Sequence, residues 1–172
     1  AEFATLSIRR LEDRRVLTAT LISGVDPNVV VSVTDIDTVS VSVDGSNNLV
    51  IHDTDAGSAD IIIALSAIDS LTFMGDVAQQ AIVFEGGNLI DLGALNITTG
   101  IENVAFNQDV LADEGGVTVN VSGDITFGVN ADLQSTVNDV ALTAGNDLLM
   151  DVTSSVTADD VTDSLSVSLN AG

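Results

Sequence analysis

The chain has 172 residues, with 26 acidic against 4 basic side chains, a net charge of −22 at pH 7, and no cysteine, tryptophan or tyrosine. That balance excludes nucleic acid and anionic membranes as partners, since both need a cationic surface. The missing cysteine excludes disulfide scaffolds, thiol catalysis and cysteine–metal sites, and a 45% apolar content that is aliphatic apart from 5 Phe favours a narrow layered core over an aromatic-lined pocket.

Residues 1–25 read as a leader or sorting segment, expected to be disordered. All four basic residues lie here: Arg9, Arg10, Arg14 and Arg15. The chain does not open on Met, so a processed or cut start is expected. The string Leu11-Glu12-Asp13-Arg14-Arg15-Val16-Leu17-Thr18-Ala19 resembles the LEPR-XLL type of N-terminal motif, which opens many very large secreted proteins of planctomycetes and related bacteria. Asp13 stands where that motif has Pro, and Val16 where it has Leu. The resemblance covers only this string. It implies an export or sorting role for Leu11, Glu12, Asp13, Arg14, Arg15 and Leu17, and a secreted or cell-surface location in a bacterium. Arg9-Arg10 also fit a twin-arginine signal, but Glu12 and Asp13 interrupt the apolar stretch that should follow. Val16 to Val25 is a weak conventional signal region. No run of 18 apolar residues is present, so no transmembrane helix is expected.

Past residue 25, apolar residues alternate with period two, which predicts strands with one face buried and the other in water. The pattern runs through Val29-Val31-Val33, Val39-Val41-Val43, Leu49-Ile51, Leu71-Phe73 and Ile82-Phe84. It continues through Leu95-Ile97, Val104-Phe106, Val117-Val119-Val121, Ile125-Phe127, Leu142-Ala144, Leu148-Met150 and Leu165-Val167-Leu169. Gly, Asn and Asp fill the gaps, as at Asp44-Gly45, Gly86-Gly87, Gly115-Gly116 and Gly145-Asn146-Asp147, and predict tight turns. Helix signals are scarce; Asp76 to Ala81 has room for one turn.

The strands repeat. Val117 to Phe127 aligns with Val140 to Met150 at an offset of 23, apolar on apolar and turn on turn. Val129 with Val152, and Leu133 with Val156, extend the match. Leu95, Ile97, Val104 and Phe106 fit the same template at offsets of 21 to 22, and a further copy is expected from Leu165, about 25 residues on. An echo at offset 33 links Ile68-Leu71-Phe73 to Ile101-Val104-Phe106. Repeats of this length with two or three short strands predict an all-β fold, a parallel β-helix (β-solenoid) with coils of 21–25 residues. Residues 93–172 read as the solenoid repeats. Residues 26–92 read as an irregular β region or solenoid cap, with a β-sandwich as the alternative for this N-terminal half. The sequence stops at Asn170-Ala171-Gly172 inside a copy, so further repeats of the same polypeptide are expected as partners.

The phrases Gly123-Asp124-Ile125-Thr126-Phe127 and Leu142-Thr143-Ala144-Gly145-Asn146-Asp147-Leu148 resemble β-helices of the filamentous-haemagglutinin and autotransporter types, which are secreted adhesins and surface fibres. The likeness spans residues 90–172 as a pattern. It implies a structural or adhesive module without catalysis, with surface glycans or other cell-surface proteins as partners. A calcium-dependent binding module, or a non-catalytic fragment of a polysaccharide-acting β-helix enzyme, is the alternative.

Candidate chemistry is sparse. Asp53-Thr54-Asp55-Ala56-Gly57-Ser58-Ala59-Asp60 places alternating carboxylates before a glycine, as a calcium loop does, so Asp53, Asp55 and Asp60 are candidate calcium ligands. Position 64 is Ala, which rules out an EF-hand, and a solvated turn explains the same residues. Asp35 and Asp37, and Asp159 with Asp160 and Asp163, are acidic clusters of the same kind. His52 is the single histidine, expected on the surface, and no Gly-x-Ser-x-Gly elbow occurs.

Overall fold

Each alternating strand has one apolar face, and that face is removed from water only when another strand stacks against the same interior. In the computed structural model this requirement is met by coiling. The structure describes residues 19–23, 27–34, 38–54, 59–75, 80–98, 100–159 and 166–172. The sorting string Leu11–Leu17 and Asp55 lie outside these, as do Asp35, Asp37, Asp160, Asp163 and positions 76–79 of the expected Asp76–Ala81 turn, whose last residue, Ala81, begins a strand.

The element order is as follows. β1 (Ala19–Ser23) runs antiparallel to β2 (Asn28–Val33), which begins the first coil with β3 (Thr38–Val43). Two antiparallel strands follow, β4 (Asn48–Asp53) and β5 (Ile61–Ala64), then a single 3-10 turn at Leu65–Ala67. The second coil is β6 (Ser70–Gly75), β7 (Ala81–Phe84) and β8 (Ile90–Leu92). The third is β9 (Ala94–Ile97), β10 (Asn103–Phe106) and β11 (Val110–Ala112). The fourth is β12 (Val117–Val121), β13 (Ile125–Phe127) and β14 (Asp132–Ser135). The fifth is β15 (Val140–Ala144), β16 (Leu148–Met150) and β17 (Ser155–Ala158), and β18 (Val167–Ala171) lies beyond it.

Successive coils stack strand on strand into three sheets. Sheet A is ordered β1-β2-β6-β9-β12-β15-β18, sheet B β16-β13-β10-β7-β3-β4-β5, and sheet C β17-β14-β11-β8. Every pairing between coils is parallel, with neighbours about 4.8 Å apart as in any sheet. The chain is therefore a β-solenoid of four complete three-strand coils with partial coils at either end. Sheet A crosses residue 93 without a break, because β6 pairs directly with β9. The strands before residue 65 belong to the same sheets, so the N-terminal half is not a separate sandwich.

Like residues form interior columns. Val31, Phe73, Ile97, Val119 and Leu142 stack along sheet A, and Ile90, Val110, Leu133 and Val156 along sheet C. In sheet B, Phe84, Phe106 and Phe127 stack with ring centroids 4.9 Å apart, Phe73 meeting the first edge-on. Val129 and Val152 keep equal rank but project from a turn, 67% and 99% exposed.

The period varies where turns absorb residues. Along sheet A, aligned residues are separated by 42, 24, 22, 23 and 27 positions, from Val29 to Leu71, Leu95, Val117, Val140 and Val167. The first step is long because β4 and β5 are inserted there. The last corrects the expected offset of about 25: Val167 stacks on Val140 at an offset of 27, and Leu165 lies outside the described residues. A shift of two residues leaves every side chain on the same face, so alternation alone does not distinguish the registers. The offset-33 echo is not a stacking relation either, since Leu71 lies in sheet A and Val104 in sheet B.

Close stacking also constrains turns. A Cβ at Gly145 would collide with the Ser122 carbonyl oxygen of the coil below. Gly145→Ala is expected to cost about 1–3 kcal/mol, the usual range for overpacking. Phe106→Ala, which removes the centre of the ring stack, is expected to cost about 3–5 kcal/mol. Urea unfolding of the variants checks both values.

Candidate functional site

Strand alternation decides where the proposed calcium ligands point. His52 faces outward from β4, so the adjacent Asp53 faces inward, where it is 2% exposed. Asp60 lies opposite His52 just before β5, and its Oδ1 is 2.6 Å from His52 Nδ1. The structure therefore brings Asp60 to His52 on the outer side of sheet B and leaves Asp53 on the inner side. Among the described residues no group of three His, Cys, Asp or Glu side chains is placed to hold a metal ion. The His52–Asp60 pair was not visible in the sequence reading, which missed the Ile61–Ile63 strand; alternation of Ile61 and Ile63 after Leu49-Ile51 was the available signal.

Among the described residues most of the remaining charge lies at the corners of the solenoid, with Asp91 in β8 and Asp132 at the start of β14 as exceptions. The six parallel strands of sheet A, β2, β6, β9, β12, β15 and β18, carry no ionisable side chain. Acidic residues gather in the turns on either side: Glu102, Asp124 and Asp147 after sheet A, and Asp69, Asp113, Glu114 and Asp139 before it. Several side chains at the corners are used by the next coil. The neutral Asn103 amide accepts the Asp124 N–H through Oδ1 at 2.8 Å, and the acceptors that follow are carboxylates: Asp124 Oδ1 accepts the Asp147 N–H at 3.2 Å. At the entry to sheet C, Asp109 Oδ1 accepts the Asp132 N–H at 3.0 Å, and Asp132 Oδ1 accepts the Ser155 hydroxyl at 2.7 Å. Asp139 Oδ1 accepts the Ser166 N–H at 2.8 Å. Bonds to an ionised acceptor are stronger than neutral ones, so these columns tie one coil to the next at its turns.

Outside the corners, the outward positions of sheet A are uncharged and mostly hydrogen-bonding. Val30, Thr72, Asn96, Thr118, Ala141 and Ser168 form one outward column, apolar at Val30 and Ala141. Asn120, Thr143 and Asn170 form a second, two residues along the strands.

A cleft lined by Val43, Asp44, Asn47, Leu65, Asn88 and Asp91 opens beside β8. It exists because the first coil extends sheet B with β4 and β5, and β8 is left as the edge of sheet C. Asp44 organises the β3–β4 turn. Its Oδ1 accepts the N–H groups of Ser46 and Asn48 at 2.8 and 2.9 Å, and its Oδ2 accepts the Asn48 side-chain amide at 3.0 Å. Asn47 completes the turn at φ 62, a conformation Asn tolerates. The Asn48 side chain, then the backbone bonds, hold the Asp44 carboxyl below its ordinary value. Asp151 is held down likewise by the Thr153 hydroxyl at 2.6 Å and the Thr153 N–H at 3.0 Å. Asp91 moves the other way: partial desolvation, then the Asp113 charge, raise it.

Compared with protein-family models, curated proteins and solved structures, the chain matches none. No helix among the described residues is long and apolar enough to cross a membrane.

The pKa directions fix the signs of the acid response. Asp44 and Asp151 stabilise the fold above the ordinary carboxylate value of 3.8, and that contribution is lost as pH falls through their lower folded values. Asp44→Asn and Asp151→Asn are therefore expected to melt lower than wild type at neutral pH, with the gap closing as pH falls below 3.8. Asp91→Asn removes repulsion from Asp113 and is expected to be neutral or stabilising by at most about 0.5 kcal/mol, because solvent screens the pair. Melting temperatures across pH test both statements.

Proposed function

We propose that this chain is a structural and adhesive module of a large exported bacterial surface protein, a stiff spacer that performs no catalysis itself. The observation that carries this reading is the unbroken in-register stacking of the three sheets. Each coil contacts chiefly its neighbours, so length grows coil by coil at about 4.8 Å each while the cross-section stays constant. The interior supports the reading as well, since it is filled by aliphatic side chains and a phenylalanine stack. An acidic, lysine-free exterior suits saline surroundings, where charges are screened over about 8 Å. The likeness of the Leu11–Leu17 string to an export motif supports a surface location.

Antibodies raised against residues 28–172 are expected to label intact cells of the source bacterium and to lower their attachment to surfaces. Labelling only after lysis would contradict export.

A calcium-dependent interaction module is the second reading, favoured by the acidic columns in which Asp109 and Asp132, and Asp124 and Asp147, sit one coil apart. On the spacer reading, calcium and magnesium at equal ionic strength raise the melting temperature equally. A rise specific to calcium supports the second reading.

A further inference from the structure

We propose that the outer face of sheet A is a binding surface for a neutral polysaccharide in extended, repeating form; this deepens the adhesive reading above and rests on it. Three observations carry the assignment. The first is charge. In a chain of net charge −22, six consecutive strands of one face hold no ionisable group, and carboxylates flank that face along both borders. Polyanions are repelled by the borders, and the face offers a cation nothing to pair with. The second is chemistry. Thr72, Asn96, Thr118 and Ser168 in one column, interrupted by Ala141 and preceded by Val30, and Asn120, Thr143 and Asn170 in the next, are donors and acceptors at once, which matches a ligand made of hydroxyl and amide groups. Alternation directs them outward: β12 reads exposed at Thr118 and Asn120 and buried at Val117, Val119 and Val121. The third is periodicity. The columns repeat at about 4.8 Å along the solenoid and about 7 Å along the strands. A repeating polymer meets this array many times over, so individually weak bonds sum to a useful affinity.

The alternatives fit less well. Protein interfaces centre on aromatic or arginine anchors, and this face has neither. The outward row of sheet B is more apolar, with Val83, Ala105 and Leu149. A hydroxyl array for ordered water is interrupted here by Asn96 and Met74.

The test is retention of the described chain on cellulose and on chitin powder, with alginate as the polyanionic control. Wild type is expected to be retained on at least one neutral polymer, not on alginate, and equally well at low and high salt. Thr72→Glu combined with Thr118→Glu is expected to lower retention at least tenfold, while Thr126→Glu on sheet B leaves it unchanged; circular dichroism melts confirm that the variants fold. No retention on either neutral polymer, retention abolished by salt, or retention indifferent to the sheet A variants overturns the proposal. Freezing-point hysteresis abolished by those variants, without glycan retention, overturns it too and assigns the face to ordered water. Failure here with intact-cell labelling preserved leaves the spacer reading standing, whereas absence of surface label removes the reading on which the proposal rests.

Discussion

Everything in this molecule depends on one reciprocal constraint: a coil hides its apolar face only if the neighbouring coils hydrogen-bond to it in register. Backbone pairing sets the axial distance, and the side chains then have no freedom to choose partners. Val117 must lie on Val140, and Phe106 between Phe84 and Phe127. The interior is filled by columns of like residues because only columns are geometrically available. This also explains the composition. A narrow prism a few residues across accommodates Val, Ile, Leu and a single ring stack, and has little use for Trp or Tyr, whose polar atoms need partners.

The same constraint gathers charge at the corners. Strand positions alternate between core and face, so turns are where acidic side chains are least restricted. There the carboxylates meet strand-entry N–H groups of the next coil, as Asp109 meets Asp132 and Asp139 meets Ser166. Carboxylates stacked one strand spacing apart repel, yet each N–H donor compensates part of that repulsion and satisfies a backbone group at a turn. With no Lys or Arg after Arg15, backbone amides do the work that ion pairs do elsewhere. The faces of sheet A are left neutral as a result.

The architecture was legible because β-solenoid physics writes itself into sequence twice, as alternation and as period. The 23-residue match of Val117–Phe127 with Val140–Met150 is a direct image of two ladders. Legibility failed where turns change length. The final copy, expected at an offset of about 25, stacks at 27, because a two-residue slip preserves the face of every side chain. The β4–β5 insertion hid the first coil by stretching its step to 42 residues, and with it the His52–Asp60 pair. Asp53 and Asp60 looked like neighbours in a loop, but an intervening reversal of the chain and the alternation of β4 send them to opposite sides of sheet B. The uncharged columns of sheet A were present in the sequence as Thr118, Asn120 and Thr143 between core residues. They acquire meaning only once the register aligns them.

The stacking itself is tested most directly by an electron-spin distance measurement. The chain has no cysteine, so Thr72→Cys with Ser168→Cys accepts spin labels at those two positions alone. Both lie on the outer face of sheet A, on β6 and β18, with three strands between them. In-register stacking predicts one narrow distribution centred near about 19 Å between backbones, four strand spacings of about 4.8 Å, widened only by the label arms. A distance twice that, or a broad distribution in the folded protein, would contradict the stacked-coil account.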